Sequence, residues 1–218
     1  MKLTTAIFDM DGLLIDSEPL WSKAADEVFK AYGFSLTEEQ HLSTTGLRTS
    51  EFVQWWFNYY HIADSELQIA EEKIFEKVGE LIKNNFKVMP GVHSIFQFFK
   101  QRNFKIGIAS SSPMKLIEFV AKELGVKEYV DGMASAEHLA YGKPHPQVYL
   151  DCAAILKSEP AECVCFEDSF NGMIAAKAAR MKCVVVPARN QQKEERWGAA
   201  DLRLSSLQNF GDLHLQLL

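Results

Sequence analysis

"AIFDMDGLLIDS", residues 6–17, places two aspartates, Asp9 and Asp11, directly after a short apolar run. This run predicts a buried strand over residues 4–10. Carboxylates at the mouth of a buried strand are costly to desolvate unless a cation, hydrogen bonds or chemistry holds them there. The stretch therefore predicts a strand that ends at a functional site.

The composition is that of a globular protein with a moderate acidic excess. The chain has 218 residues, of which 47% are hydrophobic and 24% charged, and its formal net charge is −6. This length suits one large domain or a domain that carries an insertion. No basic stretch is present to neutralise phosphates, which argues against a nucleic-acid partner. Without a signal-peptide pattern or an 18-residue apolar stretch, we expect no membrane association.

The four cysteines form no CxxC pair and show no zinc-like spacing with histidines; they are Cys152, Cys163, Cys165 and Cys183. We expect buried, reduced thiols. A reducing compartment keeps such thiols free, so the sequence predicts a cytoplasmic protein. We further expect a monomer whose partner is a small molecule.

From residue 104 onward, short apolar runs alternate with helical patterns. Strands are predicted at 104–110, 129–135, 163–168, 183–187 and near 201–206, and helices at 112–125, 145–157 and 172–181. Ser112 is the expected N-cap of the first of these helices. The alternation predicts an α/β fold, with a Rossmann-like parallel sheet as the core and helices on both faces. Since ligands bind beyond the carboxyl ends of parallel strands, Asp9, Ser110 and Asp168 should converge.

Residues 18–87 differ from the rest of the chain. They combine long helical patterns, three of the four tryptophans and little strand signal. We therefore expect an inserted α-helical cap at 18–87, with 1–17 and 88–218 forming the catalytic core. The aromatic cluster "WWFNYY" (55–60) could line a pocket, but aromatic residues at helical spacing more often pack in a core.

The strand ends and the loops that follow them supply the candidate chemistry. Asp9 and Asp168, with Glu167 as a further candidate, offer the hard oxygen ligands that suit Mg²⁺. Because Mg²⁺ pairs with phosphate oxygens, a phosphoryl substrate fits the remaining groups. Ser110 and the backbone N–H groups after it can hold phosphate oxygens, and Lys143 supplies a compact positive charge.

These roles predict a covalent mechanism. Asp9 would attack phosphorus in line to form an acyl phosphate. Asp11 would protonate the leaving alcohol and then deprotonate the water that hydrolyses the intermediate. Gly12, which lacks a Cβ, lets the backbone approach the anion.

Together, the motifs resemble those of the haloacid dehalogenase-like (HAD) hydrolase superfamily. "DMDGLLIDS" is similar to its first motif, Ser110 to the second, Lys143 to the third and "EDS" (167–169) to the fourth. The resemblance covers nearly the whole chain, including a helical cap after the first motif. It implies catalytic roles for Asp9 and Asp11. It also implies a metal site formed by Asp9, the backbone carbonyl of Asp11, Asp168 and Glu167. The phosphoryl site that it implies is formed by Ser110, Ser111 and Lys143.

Within the superfamily, "DSEPLW", "GIASSSP" and "FEDSFNG" resemble bacterial phosphatases that act on 2-deoxyglucose 6-phosphate and hexitol phosphates. The resemblance implies a Mg²⁺-dependent phosphatase of small sugar phosphates. The alternatives are a β-phosphoglucomutase-like sugar phosphomutase and, from another class, a phospho-aspartate signalling receiver. The mutases carry a histidine where this chain has Trp21, whose indole nitrogen cannot act as a base.

Arg48, in "TTGLRTS" of the expected cap, has two interpretations. It can bind an anion of the substrate, or it can pair with Glu51 three residues later. The sequence favours neither, and we count Arg48 among the candidate substrate-binding residues.

Overall fold

The computed structural model describes residues 2–218, and its centre is a six-stranded parallel sheet. The strands are β1 (Thr5–Phe8), β2 (Lys105–Ser110), β3 (Gly132–Ser135), β4 (Cys163–Glu167), β5 (Lys182–Val185) and β6 (Leu202–Arg203). Their order in the sheet is β3-β2-β1-β4-β5-β6, and every neighbouring pair is parallel. The predicted Rossmann-like α/β fold is confirmed. All four residues of β1 are buried, because helices cover both faces of a parallel sheet.

The α-helices of the described residues are α1 (Glu18–Phe29), α2 (Glu38–Thr44), α3 (Thr49–Tyr59), α4 (Leu67–Asn84), α5 (Val92–Gln101), α6 (Met114–Glu123), α7 (Gln147–Ile155), α8 (Phe170–Ala178) and α9 (Asp212–Leu217). The three helices predicted after residue 104 correspond to α6, α7 and α8. The expected N-cap was wrong: Pro113 occupies that position in α6, and no side chain caps the helix. Ser112 lies one residue earlier and uses its hydroxyl in the site described below.

Two apolar layers enclose the sheet. One layer, which includes residues of α5 and α6, meets the face that carries Phe8. The other layer, which includes residues of α7 and α8, meets the face that carries Ile7. Phe8 stacks between Phe96 of α5 and Phe166 of β4, with ring centroids 4.8 Å apart in both pairs. These contacts pack β1 at the centre of the molecule, and this packing sets the position of Asp9, which directly follows the strand.

Helices α1–α4, which we call the cap helices, lie in sequence between β1 and α5. They share an aromatic core in which Phe29 stacks on Phe34 and Phe52, at centroid distances of 4.7 and 5.6 Å. Within the 55–60 cluster, Trp56 and Phe57 are buried as expected, whereas Trp55 and Tyr59 are exposed. The division into core and cap at residues 17/18 and 87/88 stays a prediction.

All four cysteines are buried and free, as the sequence predicts. Among residues 2–218, no helix has the length and apolar content needed to cross a bilayer.

Candidate active site

The carboxyl ends of three neighbouring strands meet at one pocket. Asp9 follows β1, Ser110 ends β2 and Asp168 follows β4, and all three line this pocket together with Lys143. The Asp9 N–H donates to the Phe166 carbonyl at 3.0 Å, which continues the β1–β4 ladder into the site. The parallel register of the strands therefore places these side chains side by side.

Lys143 joins two of the carboxylates. Its Nζ lies 2.5 Å from Asp9 Oδ1 and 2.6 Å from Glu167 Oε1, and it also donates to the Ala109 carbonyl at 3.3 Å. Its side chain is only 1% exposed. Burial disfavours the charged ammonium, but the charges of Asp9 and Glu167 outweigh burial and raise the pKa of Lys143 above its usual value. Lys143 is therefore a fixed positive charge in the pocket.

Glu167 is completely buried and is oriented by protein donors. Its Oε1 accepts from Tyr149 Oη at 2.5 Å in addition to Lys143. Its Oε2 accepts from the Ser169 N–H at 3.2 Å and from Ser169 Oγ at 3.0 Å. Glu167 is thus a bridge between Lys143 and the start of α8, and direct metal ligation by Glu167 stays a prediction.

The site holds more negative than positive charge. Oxygens of Asp9, Glu167 and Asp168 lie within 4.8 Å of one another, and Glu18 faces the same pocket. Burial and neighbouring carboxylates raise the pKa of Asp9 and of Glu18 to about 8, and that of Asp168 well above its usual value. Within residues 2–218, no donor bonds the Asp168 carboxylate. A divalent cation fits this set of hard oxygens, because it would neutralise charge that Lys143 alone leaves unbalanced.

Gly12 makes room for the acidic cluster. Its φ is +75°, and a Cβ at this position would lie 2.0 Å from Asp168 Oδ2. From the sequence, we expect the missing Cβ of Gly12 to let the backbone approach the substrate anion. The structure gives a different reason for the glycine, which is the space that the Asp168 carboxylate occupies.

The Asp11 carboxylate is held from two sides. Its Oδ1 accepts from Ser17 Oγ at 2.7 Å and from Trp21 Nε1 at 2.9 Å. Its Oδ2 accepts from Ser112 Oγ at 2.6 Å, and Ser110 Oγ lies 3.5 Å away. Ser112, expected to cap a helix, is therefore a hydrogen-bond donor to Asp11.

Two side chains from outside the cap helices donate hydrogen bonds to the loop that joins α2 and α3. Ser111 Oγ donates to the Gly46 carbonyl at 2.9 Å, and Asn171 Nδ2 donates to the Thr45 carbonyl at 2.9 Å. Ser111 lines the pocket, but its hydroxyl proton is directed to the cap loop. Phosphate binding by Ser111 stays a prediction.

Arg48 bridges this loop to the core. Its guanidinium pairs with Glu51 at 3.3 Å and donates to the main-chain carbonyls of Ala136, at 3.3 Å, and Leu139. Glu51 in turn accepts from the Gly142 N–H at 2.8 Å. Arg48 is not among the residues that line the pocket. The pairing with Glu51 that the sequence allowed is present, and binding of a substrate anion by Arg48 stays a prediction.

The cap helices close the pocket opposite the strand ends. The cap side of the pocket combines apolar groups with hydroxyls and one imidazole, from Trp21, Ser22, Ala25, His41, Thr44, Thr49, Phe52 and Ile74. His41 Nε2 lies 3.1 Å from Asp26 Oδ1, so the imidazole is held by its own partner within the cap. A small polar molecule fits this mixed surface.

Sequence reasoning missed the contacts that several residues make in the site. Ser17 and Trp21 both donate to the Asp11 carboxylate. They are four residues apart at the start of α1, and residues at this spacing lie on the same side of a helix, so the sequence contained a signal for their common contact. Glu18 had a comparable signal, because it directly follows the first motif. Tyr149 had none, since a tyrosine within a helical pattern predicts only packing.

The family described as haloacid dehalogenase-like hydrolase matches residues 6–186. The chain belongs to this family. The hydrolase is 42% identical over 207 residues to hexitol phosphatase B of Escherichia coli (strain K12), covering 94% of this chain and 93% of the relative. It is 32% identical over 193 residues to a phosphorylated carbohydrates phosphatase of Thermotoga maritima, covering 88% and 89%. A β-phosphoglucomutase of Clostridium difficile superposes with a TM-score of 0.88 at 25% identity, covering 98% and 96%.

Proposed function

We propose that the protein is a Mg²⁺-dependent phosphatase of small sugar phosphates that works through an aspartyl-phosphate intermediate. The observation that carries the proposal is the placement of Asp9 at the end of β1, 2.5 Å from Lys143 and beside the Asp168 carboxylate. This arrangement gives a nucleophile, a fixed cation and a proposed metal site in one pocket.

In this proposal, Mg²⁺ is held by the carboxylates of Asp9 and Asp168 and by the main-chain carbonyl of Asp11, with Glu167 as a further ligand. Two observations support a cation there: no donor among residues 2–218 bonds the Asp168 carboxylate, and the pKa values of Asp9, Glu18 and Asp168 are raised. When bound, the ion neutralises the charge of the phosphoryl oxygens and of the carboxylates.

Each step of the proposed reaction is carried out by residues of this chain. Lys143 and Ser110 orient the phosphoryl group, and the Asp9 carboxylate attacks phosphorus while the bond to the sugar oxygen breaks. Asp11 gives its proton to that oxygen, so that a neutral alcohol leaves. Asp11 then takes a proton from water, whose oxygen attacks phosphorus and releases Asp9 and inorganic phosphate.

The pocket favours a sugar leaving group. Its cap side is lined by the hydroxyl-bearing residues Ser22, Thr44 and Thr49 together with Trp21, and this mixture of polar and apolar groups suits a small polyhydroxylated molecule. The names of the relatives, hexitol phosphatase and phosphorylated carbohydrates phosphatase, support the same class. We propose hexitol phosphates and hexose 6-phosphates, including 2-deoxyglucose 6-phosphate, as substrates.

Two other functions compete with hydrolysis. A mutase would return the phosphoryl group to a sugar. The similarity in fold to a β-phosphoglucomutase is the observation that favours this alternative. Trp21 argues against it, because the indole N–H donates to Asp11 and the ring has no nitrogen that can accept a proton. A signalling receiver would present phospho-Asp9 to a partner protein, but Asp9 is only 6% exposed beneath the cap helices.

The test incubates purified protein with a panel of sugar phosphates, with Mg²⁺ or with excess chelator. We expect free sugar and inorganic phosphate in equal amounts with Mg²⁺ and no turnover in chelator. Conversion of a sugar 1-phosphate to its 6-phosphate with little phosphate release would establish the mutase instead.

Asp9→Asn is the matched variant, because it keeps the shape of the side chain and removes the nucleophile. We expect no measurable turnover and no acid-stable phosphoenzyme, with an unchanged circular dichroism spectrum. Near wild-type turnover in this variant would rule out the covalent mechanism.

A further inference from the structure

The proton-transferring group of the proposed reaction is bound by a tryptophan of the cap. Trp21 lies in the first turn of α1, and its Nε1 donates to Asp11 Oδ1 at 2.9 Å. Ser17, just before the helix, donates to the same oxygen at 2.7 Å. One oxygen of Asp11 therefore accepts two hydrogen bonds from the start of the cap.

The two oxygens of Asp11 have different surroundings. Oδ2 faces Ser112 Oγ at 2.6 Å and Ser110 Oγ at 3.5 Å. Ser110 belongs to the strand end where the proposed phosphoryl group binds, so Oδ2 is the oxygen on the phosphoryl side. Hydroxyl groups rotate and can donate or accept, so Ser112 can remain bonded whether or not Oδ2 carries a proton.

Trp21 cannot adapt in this way. An indole N–H is a donor only. The ring is also held in place, because it packs edge-on against Phe75 of α4 with centroids 6.0 Å apart. Trp21 is thus a fixed donor that requires Asp11 Oδ1 to remain an acceptor.

We propose that Trp21 is a positioning residue that fixes Oδ1 of Asp11 as an acceptor and thereby makes Oδ2 the atom that transfers the proton in both half-reactions. This inference rests on the proposed function, in which Asp11 is the acid and then the base. In the first half-reaction the Oδ2 proton moves to the sugar oxygen as its bond to phosphorus breaks. In the second, Oδ2 takes a proton from the attacking water as the bond between Asp9 and phosphorus breaks.

Simple packing is the alternative role for Trp21, and Trp21→Phe separates the two because it keeps an aromatic ring and removes the N–H. Trp55→Phe is the matched control, since Trp55 lies on α3 with 60% of its surface exposed. Trp21→His tests rescue, because its Nε2 can present an N–H near the place of the indole nitrogen. Asp11→Asn gives the reference effect of losing proton transfer altogether.

The readout compares two leaving groups. A hexose 6-phosphate leaves as an alkoxide that needs a proton, whereas 4-nitrophenyl phosphate leaves as a stable phenolate that does not. We expect Trp21→Phe to lower kcat on the sugar phosphate about 10–100-fold with little change in KM, the scale of a lost hydrogen bond to a charged group. On 4-nitrophenyl phosphate, the first turnover should stay near the wild-type rate while later turnovers slow, so that a burst of nitrophenolate appears.

The outcomes distinguish the two levels of the proposal. Full activity of Asp11→Asn on both substrates would overturn the acid–base mechanism itself. If Asp11→Asn shows the burst but Trp21→Phe behaves like Trp55→Phe, the positioning role of Trp21 is wrong. An equal loss in the burst and in later turnovers of Trp21→Phe would indicate packing alone.

Trp21→His provides the second arm, in case Trp21→Phe fails to fold as judged by circular dichroism and thermal melting. Positioning by an N–H predicts that Trp21→His consumes the sugar phosphate at a rate within several-fold of wild type, whether the phosphoryl group then goes to water or to a sugar hydroxyl. A folded Trp21→His variant with a loss as large as that of Asp11→Asn would overturn the inference.

Discussion

Lys143 is the residue on which the charge balance of the site depends. It is buried between Asp9 and Glu167, and Glu167 is further fixed by Tyr149 and Ser169. A buried ion pair is costly to form, but removing one partner costs more, because the charge left behind has no counterion. Lys143 therefore has a structural role that is separate from its proposed contact with the phosphoryl group.

Lys143→Met tests this structural role. We expect the free energy of unfolding to fall by about 3–5 kcal/mol, measured by urea denaturation, because two buried carboxylates lose their cation. Lys87→Met is the control, since Lys87 also pairs with an aspartate, Asp16, but its side chain is 73% exposed. That control should change stability by less than about 1 kcal/mol. Equal effects of the two substitutions would contradict the structural role of Lys143.

At the scale of elements, the loop between α2 and α3 is where the cap helices are bonded to the core. Ser111 and Asn171 donate to its carbonyls, and Arg48 donates from the end of the loop to carbonyls of the segment after β3. These bonds hold the cap side of the pocket over Asp9. Lids of this kind exclude water from a reaction and complete the site.

Arg48→Met tests whether this arginine acts as a link between cap and core. We expect kcat/KM to fall about 5–20-fold on every phosphate ester, including a small one such as ethyl phosphate, because the loss of the carbonyl contacts makes the closed arrangement less populated. The measurement compares the fold-loss across the panel. A loss confined to sugar phosphates would instead support direct substrate binding by Arg48, the other interpretation that the sequence allows.

At the scale of the whole molecule, the pocket concentrates negative charge in a protein whose formal charge is already −6. Asp9, Asp11, Glu18, Glu167 and Asp168 come from two distant segments that the central strands bring together. Burial and neighbouring carboxylates raise the pKa of folded Asp168 well above its ordinary value, so this carboxyl lowers the stability of the metal-free protein at neutral pH, where the unfolded chain ionises it freely. Binding of a cation should reverse this effect.

Thermal melting of Asp168→Asn tests the proposed coupling of Mg²⁺ to stability. In chelator, we expect the variant to melt at a higher temperature than wild type, because one buried charge is gone. With Mg²⁺ at about 100 times its Kd, wild type should gain about 2.7 kcal/mol, whereas the variant should gain much less. Asp64→Asn should respond as wild type does, because Asp64 is exposed and is not among the residues that line the pocket. A variant that keeps the full gain would remove Asp168 from the metal site.

The sequence alone determined the fold class and the strand ends that form the site. Alternating strand and helix patterns predict a parallel sheet, and in such a sheet Asp9, Ser110 and Asp168 necessarily follow strands on one edge. These are local signals, because hydrophobic periodicity and chain direction do not depend on distant contacts.

Only the tertiary structure decided which partner each polar side chain takes. Ser112 donates to Asp11 instead of capping a helix, and Gly12 leaves space for Asp168. Trp21 donates a hydrogen bond to Asp11, although a tryptophan within a helical sequence pattern predicts only a packing role. Hydrogen bonds act over about 3 Å, so they are fixed by how α1, the strand ends and the loops pack together, and a one-dimensional pattern contains no such distances.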